Sequence, residues 1–227
     1  MKKYKLSAFT LIELLVVISI IAILAGIALP VFGSVMTRGA QTKALSNAKQ
    51  IGLACKLFAT DYNGLYPCYS NNATKAAANI VDSNNTLQTL VPDYIPEKPI
   101  FGIAKSAWAT ASGTAAVATP ALASTLGTAE NEWAYVTGLS ETSNGRFPLL
   151  ADGFVKGTPG TYTTTETVEG GVWKGKKAIV IRCDISGTVE TLDNKFQLPR
   201  TDDPAQDTFS TAGTNWLSAT NKVLNPL

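Results

Sequence analysis

The sequence predicts an α+β chain in which a long N-terminal helix, membrane-spanning in its first half, packs on a small antiparallel β-sheet domain. Three observations carry that prediction. The longest apolar run stands near the N-terminus, from Phe9 to Phe32; apolar residues at helical spacing continue from Val35 to Tyr62; and strand patterns fill the later part of the chain, the strongest being Lys177–Cys183 and Thr188–Leu192.

The first run, FTLIELLVVISIIAILAGIALPVF, has Glu13 as its one charged residue. As a helix it covers about 36 Å, enough for a hydrocarbon core of about 30 Å. Lys2, Lys3 and Lys5 precede it, whereas Arg38 and Lys43 are set further back on the other side. That asymmetry places the N-terminus in the cytoplasm and everything after Phe32 in the periplasm or exterior. Glu13 does not belong in an ordinary anchor, because a carboxylate there costs about 2–3 kcal/mol on insertion scales and so asks for a partner. A cut just before Phe9 would set a new α-amine within a rise of about 6 Å of Glu13, on the same or a neighbouring chain. The alternatives are a plain anchor whose Glu13 reaches for the interface, and a secretory signal peptide cut after Ala28 so that the mature chain starts at Leu29. A glutamate inside the apolar region and the helical pattern downstream argue against the signal peptide.

Pro30 lacks an amide hydrogen and its ring clashes with the preceding turn, which predicts a kink or local unwinding. Apolar positions then resume at Val35, Ala40, Ala44, Leu45, Ala48, Ile51, Cys55, Phe58 and Tyr62, with Arg38, Lys43, Lys49 and Lys56 available for another face. One kinked helix from Phe9 to about Tyr62 follows, its second half packed on a soluble domain. Asn63-Gly64 and Pro67 stop it.

Beyond the stop, Asn84 to Val91 reads as a short helix capped by Asn84 or Asn85 and closed by Pro92. Residues 104–128 are dominated by Ala, Ser, Thr and Gly and read as a surface loop, Trp108 being the aromatic exception. Strand signals return at Glu132–Thr137 and Phe147–Ala151, and weakly at Tyr162–Val168. Asp184-Ile185-Ser186-Gly187 is the hairpin turn of the strongest pair. There Ile179, Ile181 and Cys183 share the face that should meet the helix, with Arg182 on the other. Asp152 and Asp184 read as turn residues, and Asn215 to Leu224 as a docking helix.

The leader MKKYKLSA ahead of FTLIELLVV resembles the class III leader of type IV prepilins and type II secretion pseudopilins, a family that usually has glycine where Ala8 stands. The resemblance implies a pilin-like fold divided into a leader (1–8), a transmembrane half-helix (9–32), an amphipathic half-helix (33–62) and a globular domain (63–227). It implies cleavage between Ala8 and Phe9 by a prepilin peptidase, N-methylation of Phe9, Glu13 as the assembly glutamate and Pro30 as the helix-loosening proline. The implied protein is a structural subunit, not an enzyme, of a type II secretion pseudopilus or related filament. Its expected partners are other pilin-like subunits, an inner-membrane assembly platform and the lipid bilayer. The NG-x-YP break and the L-x-x-L-V-P-x-Y-I-P segment look like the major-pseudopilin type of soluble domain. The rival functions are a type IV pilus subunit for adhesion, motility or DNA uptake, and a membrane-anchored or secreted binding protein that forms no filament.

Composition removes much familiar chemistry. The chain has no histidine, the usual base of Ser and Cys hydrolases and the commonest zinc ligand. Its 19 Lys and Arg against 17 Asp and Glu leave a net charge of +2, without the basic stripe that nucleic acid would require. Three cysteines allow at most one intramolecular disulfide: Cys55 with Cys183 in an oxidising compartment, or both as buried thiols, with Cys68 a competitor for either. Asp202, Asp203 and Asp207 could offer oxygen ligands to calcium or form a solvated acidic loop. No other cofactor is expected.

Overall fold

The computed structural model describes residues 10–68, 82–110, 126–211, 216–217 and 221–227. The chain divides into two compact units, residues 1–40 and 41–227.

Helix α1 spans Leu11–Asp61 and is helical through Pro30. Among the described residues of the N-terminal unit its large apolar side chains are exposed, Leu11, Ile18, Leu29 and Met36 among them. Its mean hydropathy reaches 2.9, and among the described residues it is the one helix long and apolar enough to cross a membrane. Polar side chains there bond back into the helix: Ser19 Oγ donates to the Val16 carbonyl at 2.7 Å and Thr37 Oγ1 to that of Gly33 at 3.0 Å.

In the second unit α1 buries Ala44, Ala48, Ile51, Cys55 and Phe58, steps of three and four that keep one stripe on the core. The helix ends as its sequence predicts. Asn63 and Gly64 take φ of 55° and 77°, and the Gly64 amide returns to the Ala59 carbonyl at 2.8 Å, so the left-handed residues close the last turn.

Five strands form one antiparallel sheet: β1 (Trp133–Val136), β2 (Pro148–Asp152), β3 (Lys177–Arg182), β4 (Gly187–Thr191) and β5 (Val223–Leu224), in the order β4-β3-β2-β1-β5. The predicted α+β layout, a long N-terminal helix followed by a small antiparallel sheet, is the observed one. The β3–β4 hairpin pairs Ile181 with Gly187, and Ile185 in its turn has a φ of 63°. The predicted Ile face meets α1: a Cβ on Gly52 would stand 2.9 Å from Ile181 Cγ2. Gly187 lies equally close to the helix, its Cβ position 2.8 Å from Lys49 Cε and 3.0 Å from Leu45 Cδ1. Arg182, on the opposite face, pairs with Glu190 at 2.6 Å.

Four expectations need correction. The short helix α2 covers Ser83–Leu87, continued by a 3₁₀ turn at Gln88–Leu90, and its cap is Asp82 rather than Asn84 or Asn85. Asp82 Oδ1 accepts from the Asn85 amide at 2.8 Å, and Asn84 faces inward with its Nδ2 on the Gly127 carbonyl. Residues 162–168 form no strand; local turns take their backbone, Val168 N bonding to the Thr165 carbonyl and Thr163 N to that of Gly170. Val223–Leu224 is a strand paired with Tyr135 and Val136 rather than part of a helix, while 215 and 218–220 lie outside the described residues. Within the supposed loop at 104–128, Ala107–Thr110 is a helical turn, α3. Trp108 on it is buried, its Nε1 donating to the Phe154 carbonyl at 3.1 Å; residues 111–125 lie outside the described residues.

Candidate assembly site at the N-terminal helix

Ala8 and Phe9, the expected cleavage and methylation positions, lie outside the described residues. The described site begins at Thr10, which caps α1. The Thr10 amide and hydroxyl both donate to Glu13 Oε2, at 2.9 and 2.7 Å, and the Glu13 amide donates to Thr10 Oγ1 at 3.3 Å. This reciprocal pair is a capping box, in which each side chain satisfies an amide that the first helical turn leaves without a carbonyl. The S/T-x-x-E signal for it stands in the sequence as Thr10-Leu11-Ile12-Glu13. Glu13 therefore has a partner within its own chain at the helix start, where the macrodipole also favours negative charge. At Pro30 the chain lacks the N–H that would bond the Gly26 carbonyl.

The soluble unit holds the other candidate residues. Cys55 is fully buried and Cys183 is 5 % exposed, both as free thiols. Burial first, and the neighbouring Cys183 second, push the Cys55 thiol far up; burial and Asp184 push Cys183 up to about 12. Tyr66 donates its hydroxyl to the Cys183 carbonyl at 2.9 Å. Cys68 is half-buried.

The three aspartates point to different partners. Asp202 Oδ2 receives Arg200 at 2.6 Å, Asp203 Oδ1 accepts from the Ala205 amide at 3.1 Å, and Asp207 Oδ1 accepts from the Phe209 amide at 3.2 Å. Among the described residues no three Cys, Asp or Glu side chains are grouped to hold a metal ion. Asp207 also lines a cleft of about 700 Å³ with Gln197, Phe209, Asn221 and Lys222, and burial raises its carboxyl to about 6.

Two buried acids escaped sequence reasoning. Asp152, read as a turn residue, ends β2 fully buried, with Oδ1 accepting from the Ile179 amide at 2.7 Å. Glu132 is also buried and accepts from the Ile103 amide. Burial pushes Asp152 up to about 7 and Glu132 up to about 8, against the donors that lower them. Both folded values exceed the unfolded ones, so the stabilisation is complete below about pH 4 and is lost as pH rises through 7 to 8. The soluble unit is accordingly expected to unfold at lower temperature or denaturant at pH 8.5 than at pH 5, by more than tenfold in the unfolding equilibrium. Asp152→Asn should flatten much of that slope; an equal slope in the variant counts against Asp152 as a source.

Residues 5–29 match the family described as the prokaryotic N-terminal methylation motif. That motif agrees with the resemblance of the N-terminal segment to the class III leader of type IV pilin-like proteins. The match covers the last four residues of the expected leader, Glu13 and most of the apolar half of α1. No curated protein and no solved structure matches the chain.

Proposed function

We propose that the chain is a structural subunit of a pilus-like filament, specifically of a type II secretion pseudopilus. It is held in the bacterial inner membrane with its N-terminus cytoplasmic and residues 63–227 periplasmic. A prepilin peptidase removes residues 1–8, Phe9 is N-methylated, and the assembly platform draws the subunit out of the bilayer into a filament of like subunits. The observation that carries this function is the N-terminal methylation motif at 5–29, continuous with an apolar helix whose large apolar side chains are exposed among the described residues. Such a surface must be covered by lipid or by other helices. Further along α1, Leu53 and Leu57 are half exposed beside a groove formed with Tyr94, Ile95 and Pro96, which offers a neighbour apolar area outside the membrane. The NG-x-YP stop and the L-x-x-L-V-P-x-Y-I-P segment favour the secretion system over a surface pilus.

The N-terminal mass of the mature protein tests the proposal. The expected chain starts at a methylated Phe9. A chain that starts at Leu29 is a product of ordinary signal peptidase, and one that keeps Met1 is a tether; either sinks the filament reading.

A further inference from the structure

We infer that Cys55 and Cys183 are a disulfide pair closed while the soluble unit folds, locking α1 to β3. The helix and strand approach each other along a seam that has no room for a Cβ. Leu45 and Lys49 lie against Gly187 at the start of β4, and Gly52 lies against Ile181 of β3. One helical turn beyond Gly52 is Cys55, and two residues beyond Ile181, on the same face of its strand, is Cys183. Both residues are buried, and Cys183 is close enough to Cys55 to contribute, after burial, to raising its thiol. Tyr66, from the segment after the helix, bonds the Cys183 carbonyl and fixes the backbone there.

Burial sets the timing. Only a thiolate attacks a disulfide, and in the folded unit both thiols stay protonated and covered. The bond must therefore form before the helix is fully seated. In the reaction a thiolate of Cys55 attacks a disulfide of an external thiol–disulfide oxidant, forming a mixed disulfide and expelling one thiolate of the oxidant. The thiolate of Cys183 then attacks Cys55 Sγ, forming the Cys55–Cys183 bond and expelling the second. The two protons of the cysteines pass to the two expelled thiolates, and the oxidant's disulfide takes both electrons. Once made, the bond is shielded from reductant by the same packing.

The test refolds the full-length chain from denaturant into detergent micelles with oxidised glutathione, and separately gives oxidised glutathione to chain already folded in its reduced state. After denaturation and alkylation, peptide mass spectrometry reads the linkage. The expected result is a Cys55–Cys183 peptide, lighter by two hydrogens than its reduced parts, in the first arm and not in the second, and unchanged in Cys68→Ser. Alkylatable Cys55 and Cys183 after oxidative refolding, or a link through Cys68, overturns the pair. Equal formation in the already folded chain overturns the timing. Because the oxidant is supplied in vitro, none of these outcomes bears on whether the chain forms filaments.

Discussion

Glu13→Ala is expected to leave the chain inserted in the membrane and to remove it from filaments. Insertion survives because the substitution takes away a carboxylate that costs about 2–3 kcal/mol in the bilayer. Assembly fails because a neighbour's Phe9 amine would lose its partner inside a dry helix bundle. Leaving one member of a buried pair alone costs about 3–5 kcal/mol, which at about 1.4 kcal/mol per decade is a loss of more than a hundredfold in incorporation. The capping box sharpens the test, since Glu13 also holds the first turn of α1 through Thr10. Glu13→Gln keeps an oxygen that Thr10 can reach and removes the charge. If charge pairing sets the register, Gln fails as Ala does; if Gln assembles and Ala does not, the glutamate serves the helix cap. Membrane fractionation with quantitation of sheared or cross-linked filaments reads both steps, and wild-type incorporation of the Ala subunit ends the idea.

The parts of this molecule that were legible in its sequence are those whose periodicity is local. Helix α1 announces itself by hydropathy and then by the three-and-four spacing from Ala44 to Phe58, and Asn63-Gly64 marks its end because two left-handed residues are needed there. The β3–β4 hairpin is equally local. What could not be read depends on partners far along the chain. Strand β5 is two residues long, and only Tyr135 and Val136, some ninety positions earlier, make it a strand. The threonines at 163–165 favour strand by propensity, but Gly170, with a φ of 79°, turns the chain back onto them. Asp152 looked like a turn residue because ADG is a turn signal; it is instead the last residue of β2, between β1 and β3 in the sheet, with the Ile179 amide supplying the hydrogen bond. At the N-terminus the resemblance singles out Ala8, Phe9 and Glu13, of which Glu13 alone lies among the described residues, and its capping contact with Thr10 follows from the local T-x-x-E spacing.

Gly52→Val is expected to destabilise the soluble unit while leaving its polar groups intact. Glycine inside a helix costs about 1 kcal/mol relative to alanine, so its retention in the buried stripe of α1 has to be offset elsewhere. The offset is the approach of α1 to β3, where even a single Cβ would stand 2.9 Å from Ile181 Cγ2 and 3.6 Å from Ile185 Cδ1. Valine adds two further methyls at that seam. The added bulk costs about 1–3 kcal/mol, only slightly reduced by valine's better helix propensity. For a unit of this size that lowers the melting temperature by roughly 3–10 °C. The clash is with one identifiable side chain, so Gly52→Val combined with Ile181→Ala should recover part of the loss. Ile181→Ala alone, which leaves a cavity, should cost about 2–5 kcal/mol. A double variant more stable than the sum of the single effects would show coupling across the seam, and strict additivity would mean that the helix has another way to ride over the sheet. A loosened seam also moves Cys55 away from Cys183. Oxidative refolding of Gly52→Val should therefore give less of the Cys55–Cys183 linkage than the wild-type chain under the same conditions, which ties the packing of α1 to the covalent bond inferred beside it.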